Sequence, residues 1–550
     1  MLLFVFPHFL HTFAVGKING CLSSASRAQK AVISRTLQQA VWIVPRFARV
    51  YWQLPLLACN SGALSAMLLH MHLPSGKSCT VALPSPEVSI REVRAEAQRQ
   101  FKRRFLRLAF RGQPLDVSST LLAVGVQDGD SIDVILQSAK LASNTSSFAL
   151  YSAGGVALTW GHRGSGGDSS QLREQLERVQ QIQASDGAFA AILADGSVVT
   201  WGDPHWGGDS SQVKNQLARV QQIQATEEAF AAILEDGSVV TWGDSDWGAD
   251  SSQVEAQLTK VKCIQATHFA FAAIRLDGSV VTWGIPDYGG DSSQVQEQLV
   301  GVQKIQATRA GAFAAILADG SVVTWGNAEG GGDSSQVRAQ LVGVQQIQAT
   351  RAGAFAAILA DGSVVTWGHP YFGGDSSQVR EQLVRVRQIQ AADRALAAIL
   401  EDGSVVTWGD PSWGGDSSQV REQLARVQQI QATAQAFAAI MDNGSVVTWG
   451  ESSGGGYSRQ VQEQLVRVQQ IQASAYAFAA ILDTGSVVTW GNPDYGGDSS
   501  QVRAQLVGVQ QIQATDRAFA ALLEDGSVVT WGHPYYGGDS SQIQTQLDRV

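Results

Sequence analysis

Cysteine is nearly absent from this chain. Four in 550 residues (Cys21, Cys59, Cys79, Cys263) lie far apart, with no Cys-x-x-Cys pair. That excludes a zinc framework and a disulfide-stapled fold, and it fits a reducing compartment. Charge is sparse too, at 16% of residues against about 25% in ordinary globular domains. A net charge of −10 excludes a general nucleic-acid binder, which needs a basic stripe for phosphates. Residues 1–66 hold no Asp or Glu at all and carry +6, leaving −16 for the remainder. Their opening run, Met1–Gly16, is too short and too broken by Pro7 to span a membrane. It also lacks the basic start of a secretory signal, since the first Lys is Lys17. Residues 1–66 therefore read as an N-terminal extension, either without a fold of its own or an Arg- and Ser-containing organelle address. A cytoplasmic or nuclear location is otherwise expected.

Against these absences stand 44% apolar residues, enough for a large core, and an excess of tryptophan, 15 against 9 Tyr and 4 Met. Ten of the tryptophans form a ruler: Trp160, Trp201, Trp242, Trp283, Trp325, Trp367, Trp408, Trp449, Trp490 and Trp531, spaced by 41 residues with two intervals of 42. The longer intervals come from Arg309-Ala310-Gly311 and Arg351-Ala352-Gly353, where other units have two residues. A fixed period of this size signals stacked repeats and overrides a domain count taken from length.

One unit carries the physics. Val220–Ala225 alternates apolar and polar, a strand with one wet face. Phe230–Leu234 is apolar on both faces, a strand buried between sheets. Asp236-Gly237 supplies a tight turn into the β-branched and aromatic strand Ser238–Trp242. A variable tetrapeptide and a Gly-rich bend follow. Asp250-Ser251-Ser252 then caps an expected short helix with Val254, Leu258 and Val261 on one face. Such a unit cannot bury both apolar faces alone, so neighbours must stack.

The phrase Gly-Ser-Val-Val-Thr-Trp-Gly, preceded by Phe-Ala-Ala-Ile-Leu-Glu-Asp-Gly, resembles the repeat of the regulator of chromosome condensation, which large HECT-type ubiquitin ligases also carry. The resemblance covers roughly 400 residues and implies β-propeller blades. Nine complete units begin at Val179, Val220, Val261, Val302, Val344, Val386, Val427, Val468 and Val509, with a partial one at 148–178. Propellers usually close with about 4–8 blades, and no strand follows Val550 to complete the first blade. Two architectures stay open: a closed propeller with surplus units, or an open superhelical stack.

Ahead of the array, residues 67–137 read as a hairpin, a helix with Ile90, Val93, Ala97 and Phe101 on one face, and two further strands. Pro74-Ser75-Gly76-Lys77, Leu106–Leu115 and Asp128–Leu136 make this stretch resemble ubiquitin, which implies a β-grasp fold. Gln137-Ser138-Ala139 stands where ubiquitin ends in Gly-Gly, so conjugation is not expected. The positions matching ubiquitin's three apolar anchors are Pro74, Ala109 and Ile135. Only Ile135 has comparable bulk, so ordinary ubiquitin receptors should bind weakly. The fold class expected is thus mainly β: a β-grasp ubiquitin-like module (67–137), a linker (138–147), and a propeller or open propeller-like array of about ten repeats (148–550).

Positions identical in every unit are explained by packing; positions that differ carry more information. The tetrapeptides after Trp-Gly are Pro-shaped loops presenting an aromatic and often an acid. They make a candidate protein-binding set of His205, Trp206, Asp246, Trp247, Asp287, Tyr288, Tyr371, Phe372, Trp413, Asp494, Tyr495, Tyr535 and Tyr536, joined by Ile135 of the module. The alternative is that each aromatic merely packs over its own Gly-Gly bend. A second variable set follows Gln-Ala-Thr, as in Glu227-Glu228, His268-Phe269, Arg309-Ala310 and Asp516-Arg517. The Gly-Gly-Asp-Ser-Ser phrase is a helix cap rather than an anion nest, since it lacks the Lys of a phosphate loop. No nucleophile constellation, cofactor or metal site is evident, and a HECT-type ligase would need a reactive C-terminal Cys where the last is Cys263. The expected function is a non-catalytic scaffold: the array loops hold a protein partner and residues 67–137 dock on a ubiquitin-pathway component. The alternatives are a guanine-nucleotide exchange factor for a small GTPase, as the repeat resemblance implies, and a structural repeat protein with no specific client.

Overall fold

The computed structural model describes residues 66–152, 155 and 157–547. The expected N-terminal extension, with Cys21 and Cys59, lies outside the described residues apart from Ala66.

The first elements form the β-grasp module: β1 (Met67–His72), β2 (Ser78–Leu83), α1 (Ile90–Phe101), β3 (Leu106–Phe110), β4 (Gln113–Pro114) and β5 (Ser131–Leu136). The sheet order is β2-β1-β5-β3-β4, with β1 and β5 parallel. A capping box starts α1: Ser89 Oγ accepts from the Glu92 N–H at 3.3 Å, and the Glu92 carboxylate accepts from the Ser89 N–H at 3.1 Å. The expected face of Ile90, Val93, Ala97 and Phe101 is buried against Leu69, Met71, Leu108, Ile132 and Val134.

Residues 138–147 are not a linker. Ala139–Ser143 is β6, paired antiparallel with β7 (Ser147–Ser152), which pairs with β8 (Leu158–Gly161). The register Ser143↔Phe148 matches Ala225↔Phe230 of a complete unit, so the first unit is whole. The strand went unread because Leu141 is its only large apolar residue.

Nine further three-stranded sheets follow, the first being β9 (Val179–Ala184), β10 (Ala188–Leu193) and β11 (Val198–Gly202). In every sheet the middle strand is buried on both faces because both faces meet a neighbouring unit. Ala229, Ala231 and Ile233 pack on Ile264, Phe271 and Trp283 of the next unit, while Phe230 and Ala232 pack on Ala188, Ala190 and Ile192 of the one before. Small alanines on one side leave room for the ring on the other, which is why Phe-Ala-Ala recurs.

The array is a closed ring of ten. Each ruler tryptophan is 2–5% exposed and donates its indole N–H to a loop glycine of the preceding unit, from Trp201 to Gly166 (3.0 Å) onward to Trp531 to Gly496 (3.0 Å). The cycle is completed by Trp160 to Gly537 at 3.1 Å. Leu141, Phe148 and Trp160 share a buried cluster with Ala518, Leu522 and Val528. Because β6 precedes β7 in the chain, the first blade needs no strand from the C-terminus.

The expected short helix is also corrected. In the units before the last the stretch after Asp-Ser-Ser is turns and 3-10 helix, such as Glu255–Gln257, and Val261 begins a strand; the last unit has an α-helix there, Ser541–Leu547. Leu258, just beyond the 3-10 turn, has φ −77° and ψ 59°, outside the helical region. The i, i+4, i+7 spacing arises because Leu258 and Val261 are both buried from different local conformations.

Candidate functional site

The two stretches in which the units differ most meet on one face of the ring. The strand after each Asp-Gly turn ends beside the turn joining the first two strands, as Ala229↔Gly243 shows. Thr226 Oγ1 donates to the Trp247 carbonyl at 3.1 Å, tying the dipeptide turn to the tetrapeptide loop.

Each loop is a rigid 3-10 or similar turn. In seven of the ten the first residue's side chain caps it: Asp203 accepts from the His205 N–H (3.0 Å), Asp244 from Asp246 (2.9 Å), Asp410 from Ser412 (2.9 Å) and Asn492 from Asp494 (3.0 Å), while His162, Ile285 and His369 do not. Pro presets φ at the next position in six loops, such as Pro204, Pro286 and Pro370. The loop ends in a glycine such as Gly207, with φ +88°, where a Cβ would lie 2.5 Å from the Phe230 ring. Only glycine serves there, on backbone and on steric grounds. The following Asp-Ser-Ser is consumed internally: Thr200 Oγ1 bonds Ser210 Oγ at 3.0 Å, and Asp209 accepts from the Ser211 N–H at 2.8 Å.

The loop residues proposed from the sequence fall into two circles. His205, Asp246, Asp287, Tyr371, Asp494 and Tyr535 are exposed at the loop tips. Trp206, Trp247, Tyr288, Phe372, Trp413, Tyr495 and Tyr536 are half-buried, and they lean on the second residue of the dipeptide turns rather than on their own Gly-Gly bends. Phe269 sits between Trp247 and Tyr288, with ring centroids 4.5 Å from each. The Arg394 guanidinium lies 4.9 Å from the Phe372 ring and 4.4 Å from Trp413; Arg517 lies 4.7 Å from Tyr495 and 5.0 Å from Tyr536. His162 and Tyr535, 4.3 Å apart, carry the stacking across the join between last and first units. Ile135 belongs to the separate module, where it is 43% exposed while Ala109 is buried.

Nearer the axis lies a circle built from the second variable set, which the sequence marks as variable without assigning it a site. The first dipeptide residues, Asp186, Glu227, His268, Arg309, Arg351, Asp393 and Asp516, with Ala434, Ala475 and Thr145, follow one another around the channel mouth. Their backbones are linked where no extra residue intervenes: Asp186 N–H to Glu227 C=O (3.0 Å), Asp393 to Ala434 (3.1 Å), Ala434 to Ala475 (3.0 Å), Ala475 to Asp516 (3.0 Å) and Asp516 to Thr145 (3.0 Å). A cavity of about 510 Å³ opens inside this circle. Arg309 reaches Asp186 (3.8 Å) and Glu227 (3.9 Å), His268 Nδ1 lies 2.9 Å from Glu227, and Arg351 lies 3.7 Å from Asp393. Burial, and then the neighbouring Glu227, push the Asp186 carboxyl up to about 6. Burial raises Glu228 as well, helped by Asp244, Glu227 and Asp203. The signal available in the sequence was variation at one fixed register position, where Ala434 and Ala475 show that packing demands no charge.

Chemically, this face offers aromatic rings, fixed charges of both signs and polar loop tips. Among the described residues, no three or more His, Cys, Asp or Glu side chains are grouped to hold a metal, and no helix is long and apolar enough to cross a membrane.

No family model and no curated protein matches the chain. Among solved structures it is similar to the ubiquitin-like domain of Plasmodium falciparum Dsk2, at 20% identity and a TM-score of 0.13 over 13% of this chain and 97% of that one. It is similar to Prp20p of Saccharomyces cerevisiae, described with its binding to Gsp1p and histones, at 15% identity and a TM-score of 0.30 over 57% and 83%. It is also similar to the computationally designed Ika8 protein, at 13% identity and a TM-score of 0.28 over 72% and 96%.

Proposed function

We propose that this chain is a non-catalytic protein-binding scaffold whose recognition surface is the loop face of the ring, from Trp206 and Trp247 round to Tyr535 and Tyr536. One observation carries the reading: units that are otherwise near copies differ most in the dipeptide and the tetrapeptide, and both lie on that face. Rigid aromatic and Arg side chains on preformed loops are the residues that dominate binding energy at interfaces, at about 2 kcal/mol or more each for the strongest. The ubiquitin-like module suggests a ubiquitin-pathway partner through residues 67–137, with Ile135 as its largest exposed anchor. Guanine-nucleotide exchange finds less support, because the units differ in length by a single residue and none carries an inserted wedge.

The test is affinity capture with the full chain, comparing wild type with a triple variant Trp206→Ala, Trp247→Ala, Trp413→Ala. Partners that depend on the loop face should disappear from the variant while circular dichroism stays unchanged. Equal recovery of the same partners would sink the proposal.

A further inference from the structure

Nine of the ten joints in the ring share one construction. The valine that begins a unit donates its N–H to the turn glycine of the unit before: Val220 to Gly196 (2.8 Å), Val261 to Gly237 (2.8 Å), and so on to Val509 and Gly485 (2.8 Å). At eight of the nine the residue preceding that valine stands against the same glycine, so that a Cβ on Gly196 would come within 2.7 Å of the Arg219 Cα; Gly155 faces Ser152 instead. Three of the arginines at that position pair with the acid of their own unit's turn: Arg219–Glu235 at 3.6 Å, and Arg426–Asp442 and Arg467–Asp483, both 3.3 Å.

The tenth joint keeps the turn glycine, Gly526, and lacks the start that the other units set against it. The β6–β7 register has no bulge and sets Ala139 opposite Ser152, so Ala139 stands where the other units have valine, and with Gly508 at the arginine position of its own unit Glu524 takes its partner from elsewhere. The missing parts come from the module, in the stretch between α1 and β3. A Cβ on Gly526 would meet the Phe105 ring at 2.7 Å and the Arg104 Cβ at 3.0 Å. The Arg104 N–H donates to the Asp525 carbonyl at 2.8 Å, and Arg103 pairs with Glu524. Phe105, 7% exposed, belongs to the cluster of Leu141, Leu158, Leu522 and Val528 that spans the joint, and not to the module's own core.

We propose that Arg103-Arg104-Phe105 is a clasp: the ubiquitin-like module supplies the Arg-Val start that the first unit lacks and so holds the ring shut. The module is then a structural partner of the array and not a tethered handle. The His162–Tyr535 contact crosses the same joint, so the loop face is continuous only while the clasp is engaged. By linkage, any ligand that takes hold of the 103–105 edge weakens closure, and closure weakens that ligand. This inference does not depend on the proposed protein-binding function.

Hydrogen exchange read by mass spectrometry on the full chain tests it. Phe105→Ala should speed exchange in segments 139–161 and 509–536 by at least about tenfold, since sub-global opening is local to the weakened contacts. Segment 302–326, on an ordinary joint, and the module strands at 67–83 should keep wild-type protection. Adding Ala139→Val to Phe105→Ala should restore part of the lost protection. Unchanged exchange at the tenth joint would overturn the clasp, as would equal acceleration at all joints or loss of protection in the module strands. Failure of Ala139→Val to restore protection would overturn the claim that Phe105 stands in for the absent valine.

Discussion

The indole N–H of Trp160 donates to the carbonyl of Gly537 at 3.1 Å, joining residues 377 positions apart. It is the same bond that Trp325 makes to Gly289 at 3.1 Å between units that are covalent neighbours. The chain thus meets its own beginning with the geometry that it uses for consecutive units.

This bond is the same at both joints, whatever else differs between them, so equal damage to it should cost equally. Trp160→Phe and Trp325→Phe each keep most of the buried ring and remove the donor, leaving a buried carbonyl without it. Each is expected to lose about 1–3 kcal/mol, with the two variants within about 1 kcal/mol of each other, read from urea unfolding midpoints of the full chain.

Glycine at the end of each loop is required twice over, and the two requirements separate. Gly207→Ala meets both a φ of +88° and the Phe230 ring at 2.5 Å, and should cost about 2–4 kcal/mol. Gly129→Ala in the module has φ +84° with nothing within 4 Å, and should cost about 1–2 kcal/mol. Thermal unfolding of both variants checks the ordering; a smaller loss for Gly207→Ala would contradict it.

Asp186 makes stability depend on pH. Its carboxyl rises from 3.8 to about 6 in the folded chain, through burial and the nearby Glu227. The native state therefore holds this proton more tightly than the unfolded chain does. The stabilising contribution is complete below about pH 4 and is lost as pH rises through about 6. Asp186→Asn should be more stable than wild type at pH 8 by about 1–3 kcal/mol, reduced by loss of the 3.8 Å contact with Arg309. At pH 4 the gain should vanish. Denaturant unfolding at the two pH values decides the sign.

Arg394 bridges two loops through Phe372 and Trp413. Arg394→Ala should cost about 1–2 kcal/mol, from two partly exposed cation–π contacts, and should sharpen the Trp413 resonance of a selectively labelled chain by freeing its ring. An unchanged Trp413 line shape would show that the ring is held by other contacts.

The unit was legible because its information is local. Val220–Ala225 alternates, Phe230–Leu234 does not, and Asp236-Gly237 lies between strands; each pattern has one common physical solution. Closure was not legible, since it rests on pairs such as Trp160–Gly537 and on a strand, Ala139–Ser143, whose composition hides its place in the register. The 3-10 stretch near Leu258 was misread because spacing alone records which residues are buried and not the backbone that buries them. On the candidate site, the loop aromatics stood out as departures from a repeated frame. The set after Gln-Ala-Thr, with Arg309 and Asp516, stands out in the sequence as variable, but its convergence with Asp186, Arg351 and Asp393 does not, because only the ring brings them to one cavity.

The backbone circle at the channel mouth has a further consequence. Its links run through main-chain N–H and C=O groups, as from Asp393 to Ala434 and from Ala434 to Ala475, and are indifferent to the side chain attached. Ala434 and Ala475 hold the same stations as Asp393 and Asp516 without disturbing the circle. The charge pattern around the circle can therefore change one residue at a time without breaking these main-chain links.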